Sequence, residues 1–131
     1  MVMNGHEFRI LVCGGRDYDN RVYFFRFMDR VLETIGGTGD TPRRDVVIIH
    51  GAARGADSLA NDYAAERGLR VVSYPADWKT HGKRAGPIRN KKMLTESQPH
   101  VIIAFKGGNG TAHMICIGKE AGVPVYEVKD D

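Results

Sequence analysis

The 131 residues are 42% hydrophobic and 27% charged, the proportions of a globular protein, and they make one domain, residues 1–131, long enough for a real core. No apolar run reaches the length of a membrane span and residues 1–9 lack the apolar stretch of a signal peptide, so no membrane association and a cytoplasmic location are expected. A formal charge of +3 suits an anionic ligand and is small for a nucleic-acid binder, and two cysteines, Cys13 and Cys116, make neither a disulfide framework nor a zinc site.

FRILVC at Phe8–Cys13 predicts the first strand. It runs into Gly14-Gly15-Arg16-Asp17-Tyr18-Asp19, a glycine-rich exit with one cation and two carboxylates. Asp19 or Asn20 can cap the next helix, predicted over residues 21–35. That helix is unusually apolar. Phe24, Phe27, Met28, Val31 and Ile35 form one stripe, and Tyr23, Phe25 and Leu32 widen it beyond the face a single sheet needs. Either the glycine-rich loop at residues 36–42 covers it, or a second subunit does, which gives a homodimer or higher homo-oligomer.

Residues 46–49, VVII, read as a strand buried on both faces. His50-Gly51 ends it, Ala52-Ala53-Arg54-Gly55 turns, and Ala56, Leu59, Ala60, Tyr63 and Ala64 recur at helical spacing. A small-residue turn feeding a helix N-terminus is either an anion site or a turn that packs tightly, and one such turn does not decide between them. Gly68 ends this helix and residues 69–74 form the third strand. After Pro75-Ala76-Asp77-Trp78, residues 79–90, KTHGKRAGPIRN, read as a cationic loop, with Arg89 and Asn90 opening a helix that runs through Met93 and Leu94. No acidic residue occurs from Lys79 through Thr95, so the segment is a solvated face or a phosphate-facing one. The fourth strand, residues 101–105, exits through Lys106-Gly107-Gly108-Asn109-Gly110-Thr111, where Thr111 can cap a helix over residues 112–121. Gly122 ends it before a fifth strand at residues 123–128.

Strict alternation of strand and helix predicts a Rossmann-like, three-layer α/β/α fold with a five-stranded parallel sheet, the first and fourth strands adjacent. All strand-to-helix loops then share one edge, where ligands bind. Gly14, Gly15, Arg16, Asp17, Gly51, Arg54, Gly55, Asp57, Arg84, Arg89, Asn90, Gly107, Gly108, Gly110 and Thr111 are the candidate phosphate-binding residues. Neither G-x-x-x-x-G-K-[ST] nor G-x-G-x-x-G is present at the first strand, so neither P-loop chemistry nor a standard dinucleotide fingerprint is expected.

Four motifs, residues 13–17 (CGGRD), 50–57 (HGAARGAD), 85–90 (AGPIRN) and 107–111 (GGNGT), resemble the YspA-type branch of the SLOG superfamily, over about residues 8–128. The resemblance implies a Rossmann-like sheet that binds nucleotides or nucleotide-derived ligands. It also implies kinship with the LOG phosphoribohydrolases, which release a base from a nucleoside monophosphate, and with DprA, which binds single-stranded DNA. The LOG motif P-G-G-x-G-T-x-x-E carries the catalytic Glu. Here Lys106 replaces the Pro and Met114 stands in place of the Glu. Asp57 and Asp17 are the substitute carboxylates, and Asp57 is the candidate catalytic residue, with a ribose-binding or helix-dipole role as alternatives. His113 is a further acid–base candidate. The expected partner is a nucleotide-like small molecule, sensed or hydrolysed at an N-glycosidic or phosphoester bond. The alternative is a single-stranded nucleic acid, for which Trp78 and Tyr74 are the stacking platforms beside the cationic segment. No cofactor and no metal site are expected.

Overall fold

The structure is a computed structural model that describes residues 7–36 and 45–129. Five strands, β1 (Phe8–Cys13), β2 (Val46–His50), β3 (Arg70–Ser73), β4 (Val101–Ala104) and β5 (Val125–Glu127), form one parallel sheet in the order β3-β2-β1-β4-β5. The first and fourth strands are neighbours, as the alternation predicts, with Leu11 opposite Ile102. The three central strands pair in register, so alternate residues separate into two buried faces. Ile10, Val12, Ile48 and Ile103 point to one, and Leu11, Val47, Ile49 and Ile102 to the other.

Helices α1 (Arg21–Gly36) and α2 (Ala56–Arg67) cover the first face through Phe24, Met28, Leu32, Ala60 and Tyr63. Helices α4 (Ala85–Ser97) and α5 (Asn109–Glu120) cover the second through Met93, Leu94 and Met114. The right-handed crossover rule explains the division. The chain steps outward from β1 to β3, then returns past β1 to β4 and steps the other way, so its helices change face. The return leaves a crevice above the β1–β4 boundary.

The helix ends follow from local chemistry. Asn20, rather than Asp19, caps α1, its Oδ1 accepting from the Tyr23 N–H at 3.2 Å. Gly68 closes α2 in the left-handed region, at φ 69°, its N–H bonded to Ala64 and Ala65 carbonyls.

The wide apolar stripe of α1 is covered largely within the chain. Phe24, Met28 and Leu32 are buried. Phe25 packs on Tyr63 at 5.1 Å, with the Arg21 and Arg67 guanidiniums over its ring. Phe27 meets Phe105 and Tyr126, and the Tyr23 hydroxyl donates to the Lys129 carbonyl at 3.2 Å. The covering elements are α2 and the chain around β5. Residues 37–42 of the loop named in the sequence reading lie outside the described residues. Val22 and Tyr126 are left well exposed.

Candidate functional site

Three strand exits are tied together by backbone hydrogen bonds. The Gly15 N–H donates to the Lys106 carbonyl at 2.9 Å, and the Gly15 carbonyl accepts from Ala56 at 3.1 Å and Tyr18 at 3.2 Å. Side chains have no room at this junction. A Cβ on Gly14 would lie 2.6 Å from the Ala56 Cβ, and one on Gly107 would lie 2.6 Å from the Gly15 nitrogen. Gly55 adopts φ 77° with the Gly15 carbonyl and Arg16 backbone against it. These glycines are required by the approach of one loop to another.

The β2–α2 turn packs tightly against the β1 exit. The N-terminus of α2 is closed by the protein itself, with Ala56 N–H on the Gly15 carbonyl and Asp57 in the first turn. Asp57 is buried beneath the turn, and its Oδ2 accepts from the Gly51 N–H at 3.1 Å and the Ala53 N–H at 3.2 Å. Burial pushes its carboxyl above the ordinary value, against the lowering effect of those hydrogen bonds and of Arg89. Asp57 organises the turn and is not among the residues that line the two clefts described below. His50 supports the same turn. Its Nδ1 accepts from the Ala52 N–H at 2.9 Å, which places the ring proton on Nε2, facing the Asn61 Oδ1 at 3.0 Å.

The cationic segment is helical where a loop was expected. Asp77 caps a single turn, α3 (Trp78–His81), by accepting from the Thr80 N–H, and a 3-10 turn, Gly82–Arg84, leads straight into α4. Pro87 falls in the first turn of α4, where its missing N–H costs nothing. Arg89 therefore sits in the second turn and does not open the helix. Its Nη1 donates to the Gly51 and Tyr74 carbonyls, and its Nε donates to the Asn90 Oδ1 at 2.9 Å. Burial lowers its pKa. Asn90 is buried and joins α4 to the β4–α5 exit, donating to the Gly110 carbonyl at 3.1 Å and facing His113 Nδ1 at 3.2 Å. Arg84 is exposed and lines neither cleft. Arg89→Ala is expected to lower the melting point of the ligand-free protein by several degrees, equivalent to about 2 kcal/mol, because two backbone carbonyls lose a charged donor. Thermal denaturation checks it.

The remaining candidates divide between two clefts. The first, of about 810 Å³, is lined by Gly14, Gly15, Arg16, Asp17, Lys106, Gly107, Gly108, Gly110 and Thr111, with residues 18–20 at its rim. The N-terminus of α5 opens into it. Helix geometry leaves the N–H groups of Asn109, Gly110 and Thr111 without intrahelical acceptors, and α5 has neither a side-chain cap nor an acid in its first turn. Thr111 is not the cap predicted; it lies inside the first turn, its hydroxyl packed against Gly107. Gly108 and Gly110 differ from the other glycines at this edge. A Cβ at either would meet nothing within 4 Å, and neither has a positive φ.

The second cleft, of about 350 Å³, is lined by Arg16, Gly51, Arg54, Trp78 and Arg89 together with Ala52, Ala53, Pro75 and Ala76. Arg16 lines both clefts. Lys106 is a cleft cation the candidate list did not include; its place two residues after β4, ahead of Gly107 and Gly108, was the available signal.

Met114 is fully buried in the core. Burial pushes the Cys13 thiol up to about 12, so it is not a nucleophile near neutral pH, whereas Cys116 is exposed. Asp17 and Asp19 are exposed carboxylates at the rim of the first cleft. Among the described residues no group of three His, Cys, Asp or Glu side chains is placed to hold a metal ion, and no helix is long and apolar enough to cross a membrane.

A parallel 3-2-1-4-5 sheet with helices on both faces and an open helix N-terminus at the switch point defines a Rossmann-like α/β domain. The comparisons make the family specific. The model of the YspA, cpYpsA-related SLOG family matches residues 8–81, and the chain belongs to that family. It is 32% identical over 129 residues to the Gene 61 protein of Mycobacterium phage D29, covering 93% of this chain and 97% of that one. Two solved structures of the C-terminal domain of a Pyrococcus furiosus hydrogenase share the fold. They align with TM-scores of 0.57 and 0.52 at 17% identity, covering 100% and 98% of this chain and 96% and 95% of those chains.

Proposed function

We propose that this chain binds a nucleotide or nucleotide-derived ligand in the first cleft, phosphate against the N-terminus of α5, and that it acts as a binding or sensing domain. The observation that carries this reading is the pair Gly108 and Gly110. No neighbouring atom excludes a Cβ at either position and neither has a positive φ, while both belong to the open N-terminus of α5, Gly108 as its N-cap residue and Gly110 in its first turn. Arg16 and Lys106 supply the matching charge. Family membership supports a nucleotide-related ligand. Binding is favoured over hydrolysis because Met114 replaces the LOG glutamate and Asp57 is held under its own turn. Mass spectrometry of small molecules released by denaturing the purified protein tests the reading. A phosphorylated nucleoside or its derivative is the expected result, and a released ligand with no phosphate would refute it.

A cytoplasmic location and homo-oligomer formation belong to the same proposal. The exposed Val22 and Tyr126 beside α1 are the apolar surface available for self-association. Light scattering at tens of micromolar protein decides it: a dimer mass supports association through this face, and a monomer mass removes it.

A further inference from the structure

The lining of the second cleft has three guanidinium groups and no carboxylate. Arg54 reaches Asp17 only at 3.8 Å, with both side chains largely in solvent, a weak pairing. Arg89 uses Nε and Nη1 on the protein, and its Nη2 donates to no described residue. Arg16 makes no hydrogen bond to any described residue. Its guanidinium is held 5.0 Å over the Trp78 ring, and a stacked guanidinium keeps its N–H edge free for an anion. Arg16 also lowers the pKa of Arg89, so the two like charges act on each other across this space. Trp78, 47% exposed, adds an aromatic surface beside them.

We propose that the second cleft takes the far half of an extended, two-headed ligand. One phosphate lies at Gly108–Gly110, the phosphate joined to it meets Arg16 and faces Arg54 and Arg89, and the second nucleoside or sugar extends into the second cleft with a flat ring beside Trp78. The chemical class is a nucleotide joined through a pyrophosphate to a second nucleoside or sugar. This rests on the first cleft being the nucleotide site, and it adds the ligand's second half.

Trp78 is the one tryptophan of the chain, so its emission reports on the second cleft. The probes are AMP, diadenosine pyrophosphate and a short oligothymidylate, titrated by calorimetry and tryptophan fluorescence. Diadenosine pyrophosphate is expected to bind at least about tenfold more tightly than AMP, as one added charge-assisted contact allows, and to change the Trp78 emission, which AMP leaves unchanged. Arg54→Ala is expected to abolish that preference while AMP affinity stays within about twofold, since Arg54 does not line the first cleft. AMP binding with no preference for the dinucleotide and no emission change overturns this inference and leaves the first-cleft reading standing. Binding of neither AMP nor the dinucleotide overturns both. Tighter binding of the oligothymidylate than of the dinucleotide, with a steep salt dependence, also overturns it and makes the two clefts the path of a nucleic-acid strand.

Discussion

Gly55→Ala is expected to lower the melting point by more than about 10 °C. Gly55 sits at φ 77°, where an L side chain costs roughly 1–2 kcal/mol. The added Cβ would also meet the Gly15 carbonyl oxygen and lie 2.6 Å from the Arg16 carbonyl carbon, both of them backbone. Relief requires the β1–α1 loop to move. That motion breaks the 3.1 Å bond from Ala56 N–H to the Gly15 carbonyl, on which the start of α2 depends. Overpacking of this kind adds roughly 1–3 kcal/mol, so the whole is about 4 kcal/mol, a large part of a typical domain's stability. Denaturant unfolding gives the value directly. A loss below about 1 kcal/mol would mean that the two loops part without consequence and that their locking is not what builds this edge.

Asp57→Ala is expected to cost about 3 kcal/mol, because two backbone N–H groups under the β2–α2 turn lose their charged acceptor. Asp57→Asn keeps an acceptor oxygen and isolates the effect of charge. Burial holds the folded-state pKa of Asp57 above its ordinary value of 3.8. Between the two values the folded chain binds the proton that the unfolded chain releases. The stabilising contribution is therefore full below the unfolded value and is lost as pH rises through the folded one. Acidifying from neutral pH is expected to stabilise the parent relative to Asp57→Asn. A difference in the opposite direction would mean that the hydrogen bonds and Arg89 outweigh burial.

The fold was legible because the signals for it are local. Uninterrupted apolar runs at β1, β2 and β4 mark strands buried on both faces, and Gly68 marks a helix end by its own backbone needs. Alternation then dictated the crevice between β1 and β4. The roles of the individual glycines were not legible. Gly55 and Gly108 look alike in sequence, and only their neighbours separate them, a carbonyl packed against one and open space beside the other. Segment 79–90 misled for a related reason. Glycine, proline and charge argued for a loop, while α4 buries Ala85, Met93 and Leu94 and the polar Asn90, too sparse an apolar set for a clear helical period. Arg89 was placed at the edge correctly, but its guanidinium serves the Gly51 and Tyr74 carbonyls, an engagement that spacing does not reveal.

The central claim is that a phosphate group occupies the open N-terminus of α5 beside Gly108. Calorimetric titration of AMP into the parent and into Gly108→Ala tests it most directly, with the ligand-free melting points measured alongside. Nothing lies within 4 Å of the added Cβ, and the expected loss of stability is that of Ala at a helix N-cap, about 1 kcal/mol, which leaves the variant folded. Its affinity for AMP is expected to fall by at least about tenfold, since a methyl group then stands between the phosphate and the helix N–H groups. Equal affinity for AMP in the two proteins would contradict the account.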